Sequence, residues 1–251
     1  MNEVKKNKIY LSLAKVSSWT GLSRIFGLIR DVVTTNLLGA SVFHDIFVVT
    51  LKIPNLFRRF FAEGAFNQAF IPIYSDYQKG NDEKNTQEFI NSLAGSFLSI
   101  LFLFTILVLL ITPIFIFIFA PGFYYDDSKR IIAIDLLRIM FPYLALISLV
   151  SFASGIQNTH EKFSIPAFTP LIFNITLIVA AIFIAPIINL PVYALAWGVL
   201  IAGFLQLLIH IYALKNINRL PTPKINFSHP GQINVLKLMI PAILAGGIVQ
   251  I

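Results

Sequence analysis

From Phe97 to Ala120 the chain runs without a single charged side chain. A helix needs about 20 consecutive apolar residues to cross the hydrocarbon core of a bilayer, where every backbone polar group must be paired within the segment. The run therefore predicts a transmembrane helix. Similar runs extend from Ile139 to Ile156, Phe163 to Ile188 and Leu190 to Leu214, and another starts near Val235. Two upstream segments, roughly Ile9 to Leu38 and Val42 to Tyr74, are apolar in bulk but carry charges. The expectation is an all-α membrane protein with six full spans and the start of a seventh. Composition agrees: of 251 residues, 57% are hydrophobic and only 12% charged. That is about half the charge of a soluble domain, too little to cover a globule in water. Net charge is +7, but the basic residues are too few, and too regularly placed between spans, for nucleic-acid binding. The absence of cysteine excludes a disulfide framework, a thiolate zinc site and a cysteine nucleophile.

The connections are short and rich in breakers: Asp76 to Glu88, Pro121 to Arg130, Asn158 to Lys162, Pro186 to Pro191 and Asn216 to Asn234. Lys and Arg in such loops set orientation. With a cytoplasmic N-terminus, Lys5, Lys6, Lys8, Lys79, Lys84, Lys162, Lys215, Arg219, Lys224 and Lys237 fall inside. Only Lys129 and Arg130 fall outside, partly offset by Asp126 and Asp127. The first segment reads as a retained span. Lys15, Arg24 and Arg30 interrupt its apolar stretch, and no small-residue cleavage site follows. The last helix is still running at Ile251, so the chain is expected to be the front part of a longer protein.

Charges inside the first two segments are the most informative residues. Arg24, Arg30, Asp31, Asp45, Lys52, Arg58, Arg59 and Glu63 lie there. Each costs roughly 2.5–3.5 kcal/mol at mid-bilayer on insertion scales, so they must pair, snorkel or face a water-filled cavity. At 100° per residue, Arg24 and Asp31 project about 20° apart, and Arg30 about 120° from Arg24. Asp45, Lys52, Arg59 and Glu63 would form one stripe within about 40°, about 27 Å long. Pro54 is expected to kink that helix and free a carbonyl near its middle. Arg59 and Glu63 are an i,i+4 pair that could satisfy each other, and Arg58 could snorkel. Five cations against three anions leave a positive field, which suits an anionic group. Arg favours phosphate because its planar fork bonds two oxygens at once.

Other signals are weaker. Asn174 follows Pro166 and Pro170 in a span expected to be bent, where it could bond substrate or a neighbouring helix. Gly21 and Gly27 could allow close helix packing. His44, His160, His210 and His229 are scattered without metal-ligand spacing. No Walker loop, Ser-His-Asp arrangement or metal cluster is present, and no cofactor is expected.

The stretches Ser23-Arg24-Ile25-Phe26-Gly27-Leu28-Ile29-Arg30-Asp31, Leu38-Gly39-Ala40 and Asp45-Ile46-Phe47 resemble the opening of the MurJ/MviN lipid II flippases. The block from Lys52-Ile53-Pro54-Asn55 through Arg58-Arg59-Phe60-Phe61-Ala62-Glu63-Gly64 to Ile71-Pro72 resembles the most recognisable part of that family. Ala120-Pro121-Gly122-Phe123 and Phe163-Ser164-Ile165-Pro166-Ala167-Phe168 agree too. The resemblance implies a multidrug/oligosaccharidyl-lipid/polysaccharide exporter fold, with two six-helix lobes around a central cavity and two helices added by this family. Residues 1–232 would be the six-helix N-lobe, and 233–251 the start of the C-lobe, whose remainder or a partner chain would be needed. It implies flipping of an undecaprenyl-pyrophosphate-linked precursor across the bacterial inner membrane by alternating access, driven by membrane potential or an ion gradient. By motif position, Arg24, Arg30, Asp45 and Arg58 would be the transport residues, with Asp31, Lys52 and Asn174 beside them, and Pro54, Arg59 and Glu63 structural or gating.

Other readings remain open. Another polyprenyl-pyrophosphate-linked glycan could be the cargo, or the chain could be a non-transporting assembly subunit. A cationic-drug antiporter is disfavoured by the positive field. A membrane enzyme on polyprenyl phosphates lacks a carboxylate cluster or catalytic histidine.

Overall fold

The computed structural model describes residues 3–58, 65–80 and 82–248, and all regular structure among them is helical. Helix α1 (Glu3–Leu38) is followed by α2 (Val42–Arg58), α3 (Ala65–Lys79), α4 (Glu83–Leu110), α5 (Thr112–Phe119), α6 (Pro121–Tyr124), α7 (Asp127–Met140) and α8 (Tyr143–Thr159). Then come α9 (Ser164–Val179), continued by a π turn (Ala180–Ile184) and a 3-10 turn (Ala185–Ile187), α10 (Pro191–Asn216) and α11 (Pro230–Ile248).

Four helical stretches among the described residues are long and apolar enough to cross a membrane: Glu83–Leu110, Asp127–Thr159, Ser164–Ile187 and Pro191–Asn216. They correspond to the four least charged of the six expected spans; the other two, Ile9 to Leu38 and Val42 to Tyr74, are the ones that carry the internal charges. Helix α1 has the length, at 36 residues, but its charges set it apart. The expected single span from Val42 to Tyr74 is two helices, because α2 runs to Arg58 and α3 starts at Ala65. Arg59 and Glu63, and with them the lower half of the expected stripe, lie outside the described residues. The last helix begins at Pro230 rather than near Val235, since proline loses nothing in a first turn whose N–H groups have no helical partner.

Several helices extend well beyond their apolar runs. Asp82 caps α4 by accepting from the Asn85 amide at 3.0 Å, so the polar stretch expected to be a loop is mostly helix. Asp126 caps α7 the same way, accepting from the Ser128 and Lys129 amides. These bonds hold its carboxyl well below the usual carboxylate range, with the Ser128 hydroxyl contributing most. Lys129 and Arg130 then pair with Asp126 and Asp127 at 2.9 and 2.6 Å. Gly39 ends α1 with φ +61°, its amide donating to the Thr35 carbonyl at 2.7 Å. A side chain would strain that left-handed turn. Hydroxyls inside the bundle bond back to their own helix, as Thr50 does to the Ile46 carbonyl at 2.6 Å and Ser148 to Leu144 at 2.7 Å. Such bonds remove the cost of a polar group in an apolar medium.

Two apolar cores result. One joins α2, α5, α7, α8 and α10 around Ile46, Ile116, Leu136, Met140 and Leu195. The other is aromatic. Phe66, Phe70 and Tyr74 fall four residues apart on α3 and stack at 5.4 and 5.2 Å. Phe97 of α4 stacks on Phe66 at 4.7 Å, and Phe152 of α8 meets Phe70 edge-on at 5.1 Å. Helix α1 stands against α9, with Trp19 on Phe168 at 4.8 Å. Gly27 faces Asn174 there, whereas Gly21 has no neighbour where a side chain would be. Large apolar side chains such as Leu28, Leu103, Phe183 and Leu208 are exposed around the outside, where lipid replaces water.

The basic connections gather at one end. Arg219 after α10 pairs with Glu83 at the start of α4 (3.3 Å). His160 after α8 meets Tyr74 and Gln78 of α3 at 3.0 and 2.6 Å. The α10–α11 connection is strapped along α4: the Lys224 amide donates to the Asn91 carbonyl (2.9 Å), the Thr222 amide to Asn91 Oδ1 (2.8 Å) and Ser92 Oγ to the Asn226 carbonyl (2.8 Å). Gly95 permits this, because a Cβ there would run into the Lys224 backbone.

Candidate functional site

A cavity of about 690 Å³ opens between α1, α2, α8, α9 and α10. Helix α1 contributes Arg30, Asp31, Thr34 and Thr35, and α9 contributes Phe173 and Asn174. Lys52, Asn55 and Arg58 of α2 line it below His44, and Gln206 of α10 closes the back.

Arg30 is held from two sides. Its Nε and Nη2 donate to Asp31 Oδ1 at 3.0 and 2.7 Å, and its Nη1 donates to Asn174 Oδ1 at 2.9 Å. Asn174 is buried, and its amide nitrogen donates to the Ser23 carbonyl at 2.9 Å. One asparagine thus ties α9 to α1 at two points and fixes the guanidinium plane. Phe173 supports that plane, with its ring centre 5.8 Å from Cζ. Three of the five guanidinium N–H donors are committed to Asp31 and Asn174, leaving two to meet a ligand. Among the described lining residues three cations, Arg30, Lys52 and Arg58, stand against one anion, Asp31. The cavity is therefore positive, with a preset donor at one end and two further cations along its wall.

The structure brings together Arg30, Asp31, Lys52, Arg58 and Asn174 of the residues expected from sequence. Two charged residues fall elsewhere. Arg24 is exposed on α1 and does not line the cavity. The helix presents Gly27 and Arg30 to α9, which turns Arg24 about 120° away from Arg30. Asp45 is exposed in the first turn of α2, where a carboxylate complements the positive end of the helix dipole. Pro54 is buried inside α2. It removes the N–H that would pair with the Thr50 carbonyl, while the helix continues to Arg58.

The cavity-facing stripe of α2 is His44, Leu51, Asn55 and Arg58, with Lys52 at its edge. Their offsets of 0, 7, 11 and 14 residues keep them within about 60°. The expected Asp45-based stripe was one residue, or about 100°, off this face. His44, Asn55, Thr34, Thr35 and Gln206 were not singled out as lining residues from sequence. The offsets on α2 could have revealed His44 and Asn55, but nothing local marks Gln206.

A family profile described as "Lipid II flippase MurJ" matches residues 34–251. A protein of Buchnera aphidicola subsp. Acyrthosiphon pisum named "Probable lipid II flippase MurJ" is 43% identical over 239 residues, covering 95% of this chain and 47% of that protein. The "Lipid II flippase MurJ" of Burkholderia cenocepacia is 37% identical over 247 residues, covering 97% and 48%. A solved structure titled "Lipid II flippase MurJ, inward closed conformation" superposes with a TM-score of 0.77 at 29% identity, over 94% of this chain and 48% of that one. The chain spans about half the length of the relatives it matches.

Proposed function

The chain belongs to the lipid II flippase MurJ family, and from that premise we propose that it forms the N-terminal lobe of a flippase for lipid II or a closely related polyprenyl-pyrophosphate-linked glycan. The observation that carries this reading is the Arg30 guanidinium, oriented by Asp31 and Asn174 inside a positive cavity. Two guanidinium donors remain to engage phosphate oxygens, and charge-assisted bonds of this kind are about twice as strong as neutral ones. Lys52 and Arg58 extend the positive wall and supply later contacts as the head group moves. A two-lobe transporter of this kind places cargo between lobes and rocks one against the other. Residues 1–232 are the first lobe in this reading, and 233–251 open the second. The chain is a multi-pass membrane protein. The end carrying Lys84, Lys162, Lys215 and Arg219 faces the cytoplasm of a bacterial inner membrane, in keeping with the positive-inside rule. No enzymatic step is required, since binding and release of the head group on opposite sides suffice for transport.

The test is complementation. The full-length protein containing this chain is expressed in cells depleted of their own flippase, and lipid II accessible at the outer leaflet is measured. Parent protein restores it, and Arg30→Ala does not, although it remains in the membrane. Arg30→Lys also fails, because a point charge does not replace the oriented fork. A parent protein that reaches the membrane without restoring accessible lipid II would overturn the proposal.

A further inference from the structure

Behind Asn174 lies a second polar chain that uses none of the charged residues of the cavity. His210 of α10 is fully buried, and both ring nitrogens are engaged. Nδ1 lies 2.6 Å from Gln157 Nε2 on α8, and Nε2 lies 2.7 Å from Thr169 Oγ1 on α9. The Thr169 hydroxyl donates its one proton to the Ile165 carbonyl at 2.8 Å. The ring must therefore donate to Thr169 from Nε2, and Nδ1 accepts from the Gln157 amide. One turn earlier on α10, Gln206 donates to the Thr169 carbonyl at 2.9 Å. Thr169 is thus fixed through its side chain and its backbone.

The place of these bonds in α9 gives them a purpose. Pro170 follows Thr169 and interrupts the helical hydrogen-bond ladder. A helix loosened there has no single direction of its own, and the bonds from α10 and α8 supply one. Asn174, in the turn beyond Pro170, is the residue that holds Arg30. An apolar contact between α9 and α10 would allow small slides. Here the His210 ring nitrogens, the Thr169 hydroxyl and the Gln157 and Gln206 amide nitrogens are all engaged, so a slide of α9 on α10 would break several buried hydrogen bonds at once.

We propose that Thr169, His210 and Gln157 form a positioning network that sets the register of α9, and through Asn174 the orientation of the Arg30 guanidinium toward a pyrophosphate. This rests on the reading of Arg30 as the ligand of the anionic head group. These residues do not touch cargo; they act through Asn174 and Arg30.

The experiment is a set of binding cycles on the full-length protein in lipid nanodiscs, with farnesyl pyrophosphate as the probe. Thr169→Val deletes the hydroxyl at nearly constant volume, and His210→Leu removes both ring bonds. His210→Gln keeps a donor for Thr169. Thr169→Val is expected to weaken binding about tenfold, a coupling within the usual range for groups in one network. The same change made in an Arg30→Ala background is expected to cost less than about twofold. His210→Gln retains more affinity than His210→Leu. Thermal unfolding of each variant is followed in parallel, and if His210→Leu does not fold, the Thr169→Val cycle decides. Undiminished loss from Thr169→Val in the Arg30→Ala background would overturn the network, as would no loss in the parent. If Arg30→Ala alone binds the probe as tightly as the parent, the reading of Arg30 itself falls, and the network with it.

Discussion

The aromatic block on α3 and the cavity beside α1 are built on opposite principles within one bundle. In the block, Phe66, Phe70, Tyr74, Phe89 and Phe97 are buried and stack ring on ring. Around the cavity, side chains stop short of one another, and Arg30, Asp31 and Asn174 are linked by hydrogen bonds. The block contributes dispersion and burial, where every removed atom leaves a void. Apart from the Asn174 tie between α9 and α1, the charged part of the cavity wall contributes little to cohesion, because it remains in contact with open space. Stability and transport are therefore expected to separate cleanly in mutants: changes in the block unfold the protein, and changes in the cavity leave it folded and inactive.

The strongest challenge to that division is Phe66→Ala. Truncating a fully buried aromatic ring costs about 3–5 kcal/mol, seen as a large drop in the thermal unfolding temperature of the purified protein. A loss no greater than that of Arg30→Ala would erase the contrast. Gly95→Val comes next, at about 1–3 kcal/mol for forced overpacking. Its side chain would meet the Lys224 backbone, which has no rotamer with which to yield. The same change should make the α10–α11 connection sensitive to protease, whereas Gly21→Val, in open surroundings, should not. Asp82→Ala removes the cap of α4 and is expected to cost about 1 kcal/mol, measured by denaturation at neutral pH.

The smallest effect concerns His160, which sits outside the spans at the edge of the block. Burial pushes its imidazole below the usual value of 6.5, and Arg219 and Lys162 push it the same way. A depressed histidine contributes stability that is full above 6.5 and is lost as pH falls through its folded value. Protonation would also turn Nε2 from acceptor to donor, against the Gln78 amide 2.6 Å away. Melting temperature is therefore expected to fall more between pH 7.5 and pH 5.5 in the parent than in His160→Gln. Equal slopes would remove His160 from the account.

The apolar runs announced the helices but not their ends. Lipid selects for hydrophobicity only where it touches the chain, while Glu, Lys and Gln continue a helix in water once Asp82 or Asp126 has capped it. The site was legible where charge is expensive. Arg30, Asp31, Lys52 and Arg58 stood out because a charge in an apolar run demands a reason. Arg24 and Asp45 carried the same signal but point elsewhere, because the packing of α1 on α9, and of α2 on α7 and α8, chooses which side of each helix turns inward. Neutral residues such as Asn55 and Gln206 cost less to bury and left no comparable mark. The role of Asn174 depends on a contact 144 residues away in sequence, which no local pattern encodes.

The most direct measurement compares the two regions by thiol chemistry: these 251 residues carry no cysteine, and any cysteine elsewhere in the full-length protein is first replaced by serine. Asn55→Cys places a thiol on the cavity wall, and Ala69→Cys places one in the aromatic block, where Ala69 is 1% exposed. Each is introduced into the full-length protein and treated in membranes with an anionic and a cationic thiosulfonate of similar size. The account predicts that Asn55→Cys reacts, faster with the anionic reagent because the cavity is positive, while Ala69→Cys stays unmodified in the folded protein. An unreactive Asn55→Cys, or one that prefers the cationic reagent, would contradict a water-filled path for an anionic head group.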